Sequence, residues 1–272
     1  MTSPLPDQPT AQPSIGEPAV STEPAMSVRG LTKQFDDAVV VDDLSLDIPV
    51  GSFYGMVGPN GAGKTTTLSM ATGLLRPTAG QVLILGTDVW ADPPAAKAKI
   101  GVLADGLSTF DRLSGEELLH YVGLIRGMSA EEVAPRATEL LAALDLSESA
   151  SKLVADYSAG MTKKILLASA LIHAPRLLIL DEPLEAVDPV SGQVIRQILR
   201  NYVAGGGTVI MSSHVMELVE GLCDHVAIIH QGRVRASGPV AEVRDGMSLV
   251  DRFIDLVGGA ELAEGSLGWL RS

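Results

Sequence analysis

A lysine at the end of a glycine-rich run is the first feature with chemistry in it. Gly58-Pro59-Asn60-Gly61-Ala62-Gly63-Lys64-Thr65 has glycine, lysine and a hydroxyl at each place a phosphate-binding loop needs them. Glycines let backbone N–H groups turn inward onto phosphate oxygens, and a helix that follows directs its positive end at the same anion. Lys64 can reach the β and γ phosphates of a nucleotide, Thr65 can ligate Mg²⁺, and Thr66 lies beside them. A glycine turn with a chance lysine is the competing reading. The apolar run Phe53 to Val57 before the loop and the helical pattern Thr65 to Leu75 after it weigh against that alternative.

Two acids form the second feature. Asp181 and Glu182 end the apolar strand Leu177-Leu178-Ile179-Leu180. Ligands of open α/β sheets bind at that end of the strands. Asp181 can hold Mg²⁺, directly or through water, and Glu182 can polarise an attacking water. An acidic turn at a strand end is the plain alternative, and the phosphate loop in the same chain argues against it.

The elements that must position these residues follow from periodicity. Val28 to Phe35 and Ala38 to Ile48 look like short antiparallel strands. Gln81 to Leu85 and Ile100 to Leu103 are further strands. Texture then turns helical over about 105–172, where Ser114-Gly-Glu-Glu117 and Ser129-Ala-Glu-Glu132 have capping-box spacing. Ser158 opens another helix that runs to about His173. After the Asp181 strand come a helix over Val190 to Val203, capped by Asp188, then a strand Thr208 to Met211. A helix Val215 to Leu222 and a strand Val226 to Ile229 complete the alternation, and Gln231-Gly232 suggests a closing hairpin. Alternating apolar strands and helices imply an α/β fold with a parallel sheet covered on both faces.

Composition sets bounds. The chain has 272 residues and one cysteine, Cys223, so no internal disulfide can form. Its net charge of −13 disfavours nucleic acid as a partner and requires a local cationic site for any anion. No cationic, apolar leader opens the chain, so no secretory signal is expected. No run approaches about 18 apolar residues, so no membrane span is expected. Residues 1–25 are rich in proline and polar residues and read as a disordered tail, 26–257 as the folded domain and 258–272 as a second tail.

With these motifs in order, the sequence resembles the nucleotide-binding subunit of an ABC (ATP-binding cassette) transporter over about residues 27–257. The resemblance implies a P-loop NTPase (RecA-like) core, an N-terminal antiparallel β subdomain and an inserted helical subdomain. It makes Tyr157-Ser158-Ala159-Gly160-Met161 the signature loop, whose Ser158 and Gly160 would meet the ATP held by a partner subunit. Ser158 is equally an ordinary helix cap. Leu113-Ser114-Gly115-Glu116-Glu117 has similar letters but lies too early in the chain and reads as a cap only. Asp188 resembles the D-loop residue, and His214 resembles the switch histidine that contacts the γ-phosphate. Phe35 stands where the family stacks an aromatic on adenine, and it also reads as a core aromatic. Asp105 stands in place of the Q-loop glutamine and could approach Mg²⁺, but an ionised carboxylate donates no hydrogen bond.

The expected assignment is then an ATP hydrolase with Glu182, His214 and Lys64 as catalytic groups. Asp181, Thr65 and Asp105 would serve Mg²⁺. Its expected partners are a separate membrane permease and a second nucleotide-binding subunit, identical or homologous, at the cytoplasmic face of the cell membrane. The pattern Met247 to Leu256 and the signature point to an ABC-2 type exporter. A soluble ABC ATPase of translation or DNA repair, and a small-molecule kinase using the same loop, are the competing classes.

Overall fold

A computed structural model describes residues 23–104, 110 and 112–258. Strands β3 (Phe53–Val57), β6 (Ile100–Leu103), β7 (Leu177–Leu180), β8 (Thr208–Ser213), β9 (His225–His230) and β10 (Arg233–Pro239) form one sheet in the order β10-β9-β3-β8-β7-β6. The strands from β9 to β6 run parallel, and β10 returns antiparallel on β9 through the turn Gln231–Gly232. The strands are apolar throughout because both faces of the sheet are covered. Side chains still alternate between the faces. Phe53, Val57, Leu178, Leu180, Val209 and Met211 enter one core cluster, while Tyr54, Met56, Leu177, Ile179 and Ile210 enter the other. Each apolar side chain so buried contributes ~1.5–3 kcal/mol before its loss of rotamer freedom is counted.

The first cluster is shared with α3 (Gly115–Ile125), α4 (Ala130–Ala143), α5 (Ala159–Leu171), α6 (Pro189–Ala204) and α7 (Met216–Leu222). The helical stretch of the sequence is therefore α3 to α5. Both expected capping boxes are formed, at Ser114 and at Ser129. The terminal helices α8 (Val240–Arg244) and α9 (Leu249–Val257) close this side. A Cβ on Gly55 would sit 2.3 Å from Val219 and 3.2 Å from the Cys223 sulfur, so α7 lies directly on β3. Burial pushes the Cys223 thiol far above its usual range.

The second cluster joins the parallel sheet to a four-stranded antiparallel sheet. Its strands β1 (Met26–Phe35), β2 (Ala38–Ile48), β4 (Ala79–Ile84) and β5 (Thr87–Asp88) lie in the order β2-β1-β4-β5. The strand expected near Gln81 thus belongs here and not to the parallel sheet. Ala25, assigned to the N-terminal tail from composition, is fully buried, and its N–H donates to the Ile48 carbonyl at 2.8 Å. The helix after the glycine loop, α1 (Lys64–Ala71), stops short of Leu75. Thr72 donates its hydroxyl back to the Leu68 carbonyl, and Gly73 turns the chain with φ 72°. No helix among the described residues is long and apolar enough to cross a membrane.

His173 sits where the helical segment rejoins the parallel sheet. Its Nε2–H donates to the Ile100 carbonyl at 3.0 Å. Burial, then the Arg126 guanidinium, with Arg136 adding to it, hold its pKa down at about 4, against 6.5 when exposed. Between those values the unfolded chain takes up a proton that the folded chain refuses, so stability is lost as pH falls from about 6.5 to about 4. Urea denaturation is expected to show about 2 kcal/mol less stability at pH 5 than at pH 7 from this group, and His173→Gln is expected to flatten that slope.

Candidate functional site

The glycine-rich loop is seated by close backbone contacts. A Cβ on Gly58 would lie 2.1 Å from the Ile229 carbonyl oxygen, and one on Gly63 would lie 2.9 Å from that of Val40. Gly63 also has φ 101°, a left-handed conformation that glycine adopts without strain. The Gly232 N–H donates to the Ala62 carbonyl at 2.9 Å, so the β9–β10 turn braces the loop from below. Lys64 is buried and donates to the carbonyls of Gly58 at 2.8 Å and Pro59 at 3.2 Å. Burial lowers its pKa, and the carboxylates of Glu182 and Asp181 oppose that shift.

Across the cavity, the ends of two parallel strands carry the acids and the histidine. Leu180 pairs with Met211, which brings Asp181 level with Ser212. Asp181 is 3% exposed and accepts from the Ser212 hydroxyl. The Glu182 N–H donates to that same hydroxyl oxygen at 2.9 Å. Glu182 takes a left-handed φ of 46°, which turns the chain sharply out of the strand. His214 Nδ1 lies 3.1 Å from Glu182 Oε1, within hydrogen-bond reach.

These residues enclose a cavity of about 370 Å³ lined by Val40, the run Asn60 to Thr66, Glu182, Glu185 and His214. Of the residues singled out from sequence, Asn60, Gly61, Ala62, Gly63, Lys64, Thr65, Thr66, Glu182 and His214 meet here. Gly58 and Pro59 lie behind them as acceptors for Lys64, and Asp181 lies beneath, held by Ser212. Backbone N–H groups, an ammonium and a helix N-terminus on one wall face two carboxylates and an imidazole on the other. That arrangement fits a polyphosphate whose terminal group is attacked by water.

The remaining residues lie elsewhere. Ser158 is exposed and caps α5, accepting from the Met161 N–H at 3.3 Å. Gly160 faces the turn after Glu182: a Cβ there would be 3.3 Å from the Ala186 carbonyl oxygen. Asp188 caps α6, accepting from the N–H groups of Val190 and Ser191 at 3.0 Å each. Those bonds, Ser191 foremost, hold its pKa below the usual carboxylate range. Phe35 is 44% exposed, with Lys33 Nζ 4.9 Å from its ring centre, so it is not a core aromatic. Phe35, Ser158, Gly160 and Asp188 do not line the cavity. Asp105 lies outside the described residues. The early Ser114 forms a cap, and its neighbour Gly115 packs so closely on Tyr157 that a Cβ would meet the phenol oxygen at 2.2 Å.

Known proteins share this chain's sequence pattern and fold. The ABC transporter family profile matches residues 41–185. The chain is 35% identical to the daunorubicin/doxorubicin resistance ATP-binding protein DrrA of Streptomyces peucetius, over 84% of this chain and 70% of that one. It is 37% identical to the Nod factor export ATP-binding protein I of Cupriavidus metallidurans, over 81% of this chain and 73% of that one. The chain belongs to the ABC transporter family. Among solved structures, an ATP-binding subunit of an ABC transporter superposes with a TM-score of 0.80 at 27% identity, covering 85% of this chain and 99% of that one. A dimeric cassette solved with ADP and phosphate has a TM-score of 0.73 at 24% identity, over 79% of this chain and 98% of that one, and shares the fold. ABC transporter membership makes ATP the nucleotide of this chain and its hydrolysis the reaction.

Ser212 and Glu185 are the residues that motif reading missed. Ser212 was legible only through register, since nothing local marks a serine two places before His214 as the partner of Asp181. Ser212→Ala leaves the buried Asp181 carboxylate without this donor and frees the Glu182 backbone. A phosphate-release assay is expected to show turnover lower by ~10- to 100-fold, with ATP binding retained in calorimetry.

Proposed function

We propose that this chain is the ATP-hydrolysing subunit of a membrane exporter, working as a dimer of nucleotide-binding subunits beneath a separate permease. The cavity carries this reading: it holds the phosphate loop, Glu182 and His214, while Ser158 and Gly160 open a helix outside it. A site so divided is completed by a second copy or a homologue, whose Ser158 hydroxyl and Gly160 N–H cap the γ-phosphate. The dimeric cassette of similar fold supports that assembly. The relatives named for export and drug resistance support the outward direction, and the family's need for a permease supports a place at the inner face of the membrane.

Within one site, loop N–H groups and Lys64 bind the phosphates and stabilise charge that builds on the terminal group. Glu182 accepts a proton from the attacking water or orients it, and His214 fixes the Glu182 carboxylate and the γ-phosphate relative to each other. Phe35, exposed at the C-terminal end of β1, stacks on adenine. Asp188 orders the start of α6 at the dimer face. The donor set fits Mg²⁺: Thr65 and Asp181 offer hard oxygens. Among the described residues no cluster of three or more metal-binding side chains forms an all-protein cage, which suits an ion that completes its shell with phosphates and water. Mg²⁺ when bound neutralises part of the phosphate charge. Asp105 remains a third candidate for this role.

Glu182→Gln is expected to bind ATP and lose turnover by ~10²- to 10⁴-fold. It is also expected to accumulate as an ATP-dependent dimer in light scattering; near-normal turnover would remove Glu182 from its role. Tagged protein purified with ATP from gently solubilised membranes is expected to bring a polytopic membrane protein with it. Recovery of ribosomal or DNA-repair proteins alone would favour the soluble ATPase class.

A further inference from the structure

One carboxylate of the cavity has no part in the reaction so far described. The turn that leaves β7 is closed by the Glu185 N–H, which donates to the Glu182 carbonyl at 3.2 Å. It starts with the left-handed φ of Glu182, and both of its ends, Glu182 and Glu185, line the phosphate cavity. Glu182 has His214 beside it at 3.1 Å. Glu185 is exposed at the rim. The lining therefore sets two carboxylates against the single ammonium of Lys64, with the Asp181 carboxylate buried beneath. For a pocket that must take up a highly charged anion, this is an excess of negative charge.

We propose that Glu185 is a specificity-determining residue that makes nucleotide binding depend on a divalent cation: it admits the metal-complexed triphosphate and opposes metal-free ATP. The proposal rests on the cavity being the ATP site. Free ATP carries about four negative charges at neutral pH, and its complex with a divalent cation about two. Charge–charge repulsion scales with the product of the charges, so the cation removes about half of the repulsion that Glu185 exerts across the cavity. Glu182 lies deeper, with His214 within hydrogen-bond reach. Glu185, at the rim, acts on the phosphates as they enter and as products leave.

Glu185→Gln keeps the side-chain size and removes the charge. Titration calorimetry with ATP in EDTA, and again with excess Mg²⁺, reads the ratio of the two dissociation constants. In Glu185→Gln the metal-free constant is expected to tighten by about three- to tenfold and the metal-complexed one by less, so the ratio shrinks. The change is expected to fade in high salt, as an electrostatic effect at an exposed group must. Glu217→Gln, the same charge change on an exposed position of α7 outside the cavity lining, is expected to leave the ratio as in the wild type. An unchanged ratio in Glu185→Gln, or both constants moving together, would overturn the proposal, as would an equal shift from Glu217→Gln. Should Glu185→Gln fail to fold by circular dichroism, Glu185→Ser carries the same test. Failure of the wild type to bind ATP under both conditions would instead overturn the assignment of the cavity.

Discussion

The closeness of the phosphate loop to the backbone beneath it is the constraint on which the rest depends. Gly58 lies against the Ile229 carbonyl and Gly63 against that of Val40. Gly232, in the β9–β10 turn, is nearer still to Val40, where a Cβ would meet the carbonyl oxygen at 2.4 Å. Its N–H holds Ala62, and its carbonyl accepts from Asp42 at 3.0 Å. Three separate stretches of chain thus meet in close backbone contact. That contact limits how far the loop can sag, and its N–H groups keep the concave arrangement that an anion needs. The antiparallel sheet is joined to the same seat, so the end of β1 that carries Phe35 is tied to the loop.

From that seat the site is assembled by strand ends. Parallel strands deliver their C-terminal residues to one edge of the sheet, and the register of β7 on β8 sets Asp181 level with Ser212. One hydroxyl then serves two masters, donating to the Asp181 carboxylate and accepting from the Glu182 N–H. This joint converts a gap between neighbouring strands into a rigid edge. The positive φ at Glu182 lifts the next residues off the sheet and turns them toward the phosphate cavity on one side and α5 on the other. A few residues of backbone therefore link the Glu182 carboxylate to the Ala186 carbonyl that limits the space at Gly160.

Much of this was legible in the sequence because local chemistry recorded it. The phosphate loop, the apolar strand ending in Asp181-Glu182, both capping boxes and the hairpin at Gln231-Gly232 are encoded within a few residues each. What escaped depends on distant pairing. Gln81 has the texture of a strand, but which sheet it joins is decided by β1. Ala25 reads as tail because its proline-rich neighbours dominate its composition, yet its backbone is hydrogen-bonded to Ile48 of β2 and to Leu85 in the turn after β4. Ser212 has no local mark at all. Glu185 sits in an acidic turn whose direction is set by one backbone dihedral, a quantity that side-chain pattern does not report. Phe35 could be a core or a surface aromatic until the sheet fixed its face.

The single cysteine has a practical consequence. Cys223 is packed between α7 and Gly55 of β3, and its thiolate is suppressed by burial. The thiolate is the nucleophile that attacks maleimide and thiosulfonate reagents, so the native cysteine is expected to label slowly while the chain is folded. A thiol introduced at an exposed position such as Ser158 would be the sole reactive group without any prior removal of Cys223. The fold thereby provides a clean background for fluorescence and spin-label distance measurements, in a protein whose core sulfur needs no alteration.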